Sequence, residues 1–138
     1  MRFLRVFRLL RVLKLQRILV RFEERIASES LNIMLKFAKL IIMITFIAHW
    51  IACFFYYVGQ SECAKHEDCW PNYNGVADKP IKTKYIFSLF WAFTTMTTVG
   101  YGDIHPNTPK ERVLTLFTML ISCVVYAYTI GCIGSLVS

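Results

Sequence analysis

The segment Thr94–Asp103, TTMTTVGYGD, concentrates the polar groups of this chain that could coordinate an ion. Four threonine hydroxyls, two glycines and one carboxylate interrupt a chain that is 56% hydrophobic. Gly100 and Gly102 recur at a period of two, and glycine adopts positive φ without steric cost. Alternating backbone handedness at such positions can aim successive carbonyl oxygens toward one axis, where they replace the hydration shell of a cation. The alternative is a turn that uses its glycines only to fold the chain back.

The elements around this segment have the lengths of membrane helices. Leu40–Val58 is an uncharged run of 19 residues, and Val113–Ser138 is a run of 26 residues without Asp, Glu, Lys or Arg. At about 1.5 Å per residue the second run is roughly 39 Å long, enough to cross a hydrocarbon core of ~30 Å with tilt. The apolar segment Tyr85–Met96 is too short to cross, so it enters and leaves from one side. Irregular backbone at membrane depth is tolerated only inside protein or along a water-filled path. These patterns predict an all-α integral membrane protein.

The net charge of +7 belongs to one N-terminal helix, because the rest of the chain has nine basic and nine acidic residues. A basic residue recurs at every third position, which winds the charges around a helix instead of placing them on one face. At mid-bilayer each charge costs about 2.5–3.5 kcal/mol, so the helix needs acidic partners. We expect those partners in helices that precede this sequence. The alternative is a basic helix on the membrane surface, and a nucleic-acid surface is not indicated. The charges are those of Arg2, Arg5, Arg8, Arg11, Lys14, Arg17 and Arg21.

Two signals agree on the orientation of the chain. Five basic residues precede the first uncharged run, and the positive-inside bias assigns that connection to the cytoplasm. They are Arg17, Arg21, Arg25, Lys36 and Lys39. The opposite side then carries Cys63 and Cys69, a pair that suits an oxidising compartment. A disulfide there would close a small loop and contribute about 2 kcal/mol on the chain-entropy model. The alternative is two unpaired thiols.

The run TTVGYGD, after a short aromatic helix and before a spanning helix, resembles the selectivity filter of the potassium-channel family. The resemblance implies that backbone carbonyls bind potassium, that the Thr98 hydroxyl adds the innermost site, and that Asp103 lies at the extracellular mouth. Tyr101 would point away from the pore and pack on the aromatic residues of the pore helix, with Trp91 as the expected neighbour. Thr94 stands where many potassium channels carry Glu or Val behind the filter. The implied filter is Thr98, Val99, Gly100, Tyr101 and Gly102, with potassium at Thr98, Val99, Gly100 and Tyr101 and with support from Trp91, Thr94 and Asp103.

Further motifs narrow the resemblance. The arginine spacing resembles the sensor helix of voltage-gated channels, which assigns voltage sensing to Arg2, Arg5, Arg8, Arg11, Lys14 and Arg17. RFEERI, AHWIACFFYYVG and VYAYTIGCIGSLVS resemble the cyclic-nucleotide-binding-domain superfamily, which contains the ether-à-go-go, plant inward-rectifier and hyperpolarisation-activated channels. The hyperpolarisation-activated members lack the threonine and the acid that flank Gly-Tyr-Gly, so selective potassium passage is favoured. Modulation by cyclic nucleotides is a family expectation and needs a domain outside these residues. The resemblance implies a cavity and gate at Tyr126, Ile130, Gly131 and Gly134, and helix packing is the competing interpretation of Tyr126 and Ile130.

The sequence therefore predicts the pore-forming subunit of a voltage-gated potassium channel in a membrane, with the plasma membrane expected. It predicts a homotetramer in contact with lipid, because one chain supplies a quarter of each ring of oxygens. No cofactor, no nucleic-acid partner and no enzymatic activity are expected, since no metal-ligand spacing or nucleophile–base pair is visible. The rivals are a weakly selective cation channel and a lipid-binding surface protein. The predicted order is sensor helix 1–21, linker 22–35, outer helix 36–58, extracellular loop 59–82, pore helix 83–97, filter 98–103 and inner helix 108–138.

Overall fold

The computed structural model describes residues 29–137, and all regular structure in that range is helical. There are two long helices and two shorter ones. They are α1 (Glu29–Cys63), α2 (Trp70–Tyr73), α3 (Ile81–Met96) and α4 (Pro109–Val137). Residues Ile41–Ser138 form one compact unit, and the first turns of α1 belong to a separate unit. Every contact discussed below lies within the compact unit.

The two long helices satisfy the length and composition of membrane spans. Ser30–Cys63 and Pro109–Val137 are long and apolar enough to cross a bilayer. Only 22% and 17% of their most apolar windows are buried within the chain, whereas the core helix of a soluble protein is mostly buried. With 16 residues, α3 is roughly 24 Å long, which is shorter than the ~30 Å hydrocarbon core. The fold is the all-helical arrangement that the sequence predicts.

Helix α1 is longer at both ends than the predicted outer helix 36–58. It begins at Glu29, inside the predicted linker, because the residues from 29 to 35 contain polar side chains but no Gly or Pro to end a helix. It continues through Gly59 to Cys63, where the sequence predicts a loop. Glycine stands at position 59 because the indole of Trp70 lies so close to the helix there that a Cβ would overlap it. Gly59 is therefore a point of close packing and does not end the helix.

The core of the compact unit lies where α1, α2 and α3 meet. Alanines on α1 and α3 are fully buried, and such small residues let helix backbones approach closely. A hydrogen bond of 2.7 Å between His49 Nδ1 and the Tyr85 hydroxyl joins α1 to α3. The core residues are Ala48, Ile51, Ala52, Phe55, Trp70, Val76, Trp91, Ala92, Met96 and Ile104.

Candidate functional site

The backbone of the TTVGYGD segment alternates in handedness. Thr98, Gly100 and Gly102 have φ of 61°, 55° and 76°, so every second residue lies in the left-handed region. Thr98 is the one non-glycine residue with positive φ in the part of the chain that the structure describes. A β-branched residue there is a genuine outlier, and such strain costs on the order of 1–3 kcal/mol. Strained backbone of this kind concentrates at ligand clamps and other functional sites.

Hydrogen bonds from the end of α3 hold this segment. The Gly100 N–H donates to the Thr94 carbonyl at 3.0 Å, and the Thr98 N–H donates to the Thr95 carbonyl at 3.2 Å. The Thr94 hydroxyl donates to the Trp91 carbonyl at 3.0 Å, which keeps that side chain on the helix. Thr94 therefore supports the segment through its backbone carbonyl, so the identity of its side chain matters less than the sequence comparison with Glu or Val suggests.

The aromatic neighbours of the segment differ from the expected ones. Tyr101 is stacked on Phe90, with ring centroids 6.1 Å apart and an interplanar angle of 3°. Trp91, the expected neighbour, instead stacks on Phe55 of α1 at 3.7 Å. Consecutive residues of a helix point about 100° apart, so Phe90 and Trp91 cannot face the same partner. Within one chain, Phe90 supports Tyr101 and Trp91 anchors α3 to α1.

The C-terminal end of the segment contains a contact that sequence reasoning missed. His105 Nδ1 lies 3.0 Å from the Gly102 carbonyl oxygen, and its ring meets Tyr73 of α2 edge-on at 4.9 Å. This geometry makes Nδ1 the donor to the carbonyl. Asp103 is exposed, consistent with a position at the edge of the segment. The only sequence signal for this contact is that His105 follows Gly102 by three residues, a spacing that allows a histidine ring to reach the Gly102 carbonyl.

The start of α4 is built around Glu111, a second residue that the sequence analysis missed. Its carboxylate is fully buried and accepts three backbone N–H groups, from Trp70 at 3.1 Å, Asn107 at 2.8 Å and Thr108 at 3.1 Å. The Glu111 N–H lies 3.4 Å from the Thr108 hydroxyl, so the two residues form a capping box with Pro109 at the first helical position. The pattern Thr-Pro-Lys-Glu is a recognisable signal for this helix start.

The loop between α1 and α3 is tied to both long helices. Cys63 and Cys69 form a disulfide with their Cα atoms 5.1 Å apart. Lys110 of α4 donates to Glu62 Oε1 of α1 at 2.9 Å, next to that disulfide. The lysine side chain is 63% exposed whereas the glutamate side chain is 2% exposed, so this ion pair is solvated from the lysine side only. The ends of α1 and α4 are thus held together at the side of the molecule that carries the loop.

The predicted cavity residues lie on α4 with exposed side chains. Tyr126 and Ile130 are 42% and 53% exposed within the chain. A Cβ at Gly131 or Gly134 would meet no atom within 4 Å, and the helix runs unbroken through both. The structure therefore leaves this face open to a pore or to another chain, and the two interpretations stay predictions. The predicted sensor residues Arg2, Arg5, Arg8, Arg11, Lys14 and Arg17 lie outside the described residues.

Side-chain metal ligation has no candidate between residues 29 and 137, where no group of three or more His, Cys, Asp or Glu could hold an ion. The groups available to a cation at this site are backbone carbonyls and the Thr98 hydroxyl. Such oxygens suit a hard monovalent cation, because they carry partial charges and no formal charge.

Comparison with known proteins shows similarity to ion transport proteins. The ion transport protein family model matches residues 1–138. The rabbit (Oryctolagus cuniculus) voltage-gated inwardly rectifying potassium channel KCNH2 is 32% identical over 97% of this chain. Potassium channel AKT1 of Arabidopsis thaliana is 34% identical over 96% of it, and potassium voltage-gated channel unc-103 of Caenorhabditis elegans is 28% identical over 97%. The chain spans 12%, 16% and 17% of the lengths of these three relatives.

Proposed function

Because the chain belongs to the ion transport protein family, we propose that it is the pore-forming part of a voltage-gated, potassium-selective channel. The relatives that it resembles are named as potassium channels, and ion channels are not enzymes. In this proposal potassium crosses the membrane passively through a filter built from Thr98 to Gly102. No cofactor takes part, and potassium is the permeant ligand.

The observation that carries the proposal is the alternation of φ at Thr98, Gly100 and Gly102. This alternation lies between a helix too short to cross the membrane and a helix long enough to do so. It supports a filter in which the carbonyls of Thr98, Val99, Gly100 and Tyr101 bind potassium, with the Thr98 hydroxyl at the inner end. Asp103 would then stand at the extracellular mouth, and α4 would line the cavity at Tyr126 and Ile130.

A homotetramer in the plasma membrane completes the proposal. One chain supplies one quarter of each oxygen ring, so four copies are needed around the axis. Val99 and Tyr101 are 54% and 71% exposed in a single chain, and large apolar side chains beside an ion path need a cover. Neighbouring copies and lipid supply that cover in the proposed assembly. The N-terminal basic helix is the proposed voltage sensor, and cyclic-nucleotide modulation is left to a domain outside this sequence.

The reversal potential of the current separates this function from its rivals. The full-length channel is expressed in cells and recorded with a potassium gradient across the membrane and sodium as the competing ion. A potassium-selective channel reverses near the potassium equilibrium potential and follows it as external potassium is changed. A weakly selective cation channel reverses at a displaced potential. A lipid-binding surface protein gives no current above that of untransfected cells, and this result would refute the proposal.

A further inference from the structure

Trp70 is the most enclosed large side chain of the extracellular loop. It has no exposed surface, although the segment around it is polar and lies outside the uncharged runs. It directly follows Cys69, which the disulfide ties to the last residue of α1. Its backbone N–H donates to the buried Glu111 carboxylate, which starts α4. Trp70 is therefore held by the disulfide-bonded residue before it and by the start of α4.

The indole ring of Trp70 begins a stack of three aromatic rings from three different elements. Its centroid is 4.9 Å from that of Phe55 on α1, with 13° between the ring planes. Phe55 in turn stacks on Trp91 of α3, with 12° between the planes. The indole N–H donates to the Phe55 carbonyl at 3.2 Å, so Trp70 cannot slide along α1 without losing this bond. We call these three residues the aromatic stack.

The backbone of Trp91, the last residue of the aromatic stack, is linked to the filter through Thr94. The Trp91 carbonyl accepts the Thr94 hydroxyl, and the Thr94 carbonyl accepts the Gly100 N–H. A displacement of Trp91 therefore moves the helix turn that holds the central glycine of the filter. A continuous series of contacts therefore connects the disulfide, through the aromatic stack and Thr94, to Gly100.

We propose that Trp70, anchored by the Cys63–Cys69 disulfide, is a positioning residue that keeps the filter in its conducting form through the aromatic stack. The inference rests on the proposed function, because it concerns the stability of a potassium filter. A bound ion stabilises the conformation that binds it by mass action, so the filter depends most on outside support when external potassium is low. Loosening Trp70 then speeds the loss of conduction during sustained opening. Potassium selectivity in the conducting form stays unchanged, because the carbonyls themselves are intact.

The test compares Trp70→Phe with Trp50→Phe in the full-length channel. Phenylalanine at position 70 keeps a ring and removes the indole donor to the Phe55 carbonyl. Trp50 lies on α1, where its ring meets Phe46, His49 and Phe54 outside the aromatic stack, and it is 43% exposed. We expect the current of Trp70→Phe to decay about 3- to 10-fold faster at low external potassium, from the usual net contribution of one hydrogen bond. High external potassium should remove most of the difference in decay rate between Trp70→Phe and the wild type. Trp50→Phe should decay as the wild type does at both potassium concentrations.

A second experiment applies external dithiothreitol to the wild-type channel, so its result does not depend on whether a variant folds. The reagent converts the disulfide into two cysteine thiols and is itself oxidised to a cyclic disulfide. Reduction should accelerate the decay in the same potassium-dependent way, and the double variant Cys63→Ser, Cys69→Ser should not respond to the reagent. A role in folding alone would lower the number of channels at the surface and leave the decay rate unchanged.

Two results would overturn the inference in distinguishable ways. If the wild type carries a potassium-selective current and dithiothreitol does not change its decay rate, the positioning role is wrong and the proposed function stands. If the wild type carries no potassium-selective current, the proposed function fails and this inference fails with it.

Discussion

Replacement of Glu111 by Ala should be among the most destabilising single changes in the loop region. The carboxylate is buried and accepts three backbone N–H groups, from Trp70, Asn107 and Thr108. A hydrogen bond to a charged group contributes about 1.5–3 kcal/mol, and Trp70 and Thr108 are too buried to bond water instead. Loss of these two bonds therefore costs roughly 3–6 kcal/mol. Asn107 is only partly buried, so its N–H can be resolvated more readily and its bond adds less.

Glu111→Gln provides the intermediate point of the series. Its amide keeps one oxygen, which can accept from Asn107 and Thr108 together, since both bond the same carboxylate oxygen. The amide NH₂ then faces the Trp70 N–H, two donors that cannot bond each other. We expect a loss between that of the alanine variant and zero. Glu67→Ala is the matched control, because that carboxylate is exposed on the same loop and its loss should stay within about 0.5 kcal/mol.

The measurement is the midpoint of heat-induced loss of the folded oligomer, followed by fluorescence-detected gel filtration of the solubilised full-length protein. Membrane proteins of this size unfold irreversibly, so the order of the midpoints is the result that matters. The expected order, from most to least stable, is wild type with Glu67→Ala, then Glu111→Gln, then Glu111→Ala. If Glu111→Ala melts together with Glu67→Ala, the carboxylate does not hold the three donors and the account of this helix start is wrong.

Two further predictions concern conduction and gating. Gly100→Ala should abolish potassium current at normal surface expression, since φ is 55° there and a Cβ at that φ is strained although no atom lies within 4 Å of it. Gly131→Ala, in helical backbone with the same open surroundings, should conduct, so normal current from Gly100→Ala would refute the filter assignment. A charge that crosses 100 mV is worth ~2.3 kcal/mol, so Arg8→Gln and Arg11→Gln should each make the conductance–voltage curve shallower while Arg21→Gln shifts only its midpoint. Wild-type steepness in both of the first two variants would argue for a lipid-binding helix.

The sequence predicts the helical fold and the filter backbone because both depend on local patterns. Uncharged runs long enough to cross a bilayer need only composition, and α4 at Pro109–Val137 matches the predicted 108–138 closely. The positive φ of Gly100 and Gly102 follows from two glycines at a period of two. The positive φ of Thr98 continues the same alternation, but a threonine carries no compositional signal for it.

The contacts that hold the filter could not be predicted in the same way. Trp70 lies among polar loop residues, and its burial comes from the packing of its indole over Gly59 and against Phe55. The neighbour of Tyr101 depends on which of two adjacent aromatics of α3 faces α1, and that depends on where Phe55 lies. These are tertiary choices between residues far apart in the chain. The capping box of Thr108 and Glu111 is different, because its spacing was present in the sequence and was overlooked.

The strain at Thr98 connects these observations. A strained backbone persists only when its surroundings over-determine it. Within one chain the segment is held by the N–H groups of Thr98 and Gly100, which bond carbonyls at the end of α3, and by the bond between His105 and the Gly102 carbonyl at its outer end. Three such bonds are few for an exposed segment whose carbonyl dipoles would repel each other around the axis of the proposed channel. In the proposed channel the remaining constraint comes from bound potassium, from neighbouring copies and from the elements behind α3. That division explains why changes as far away as the disulfide are expected to act on conduction most strongly when potassium is scarce.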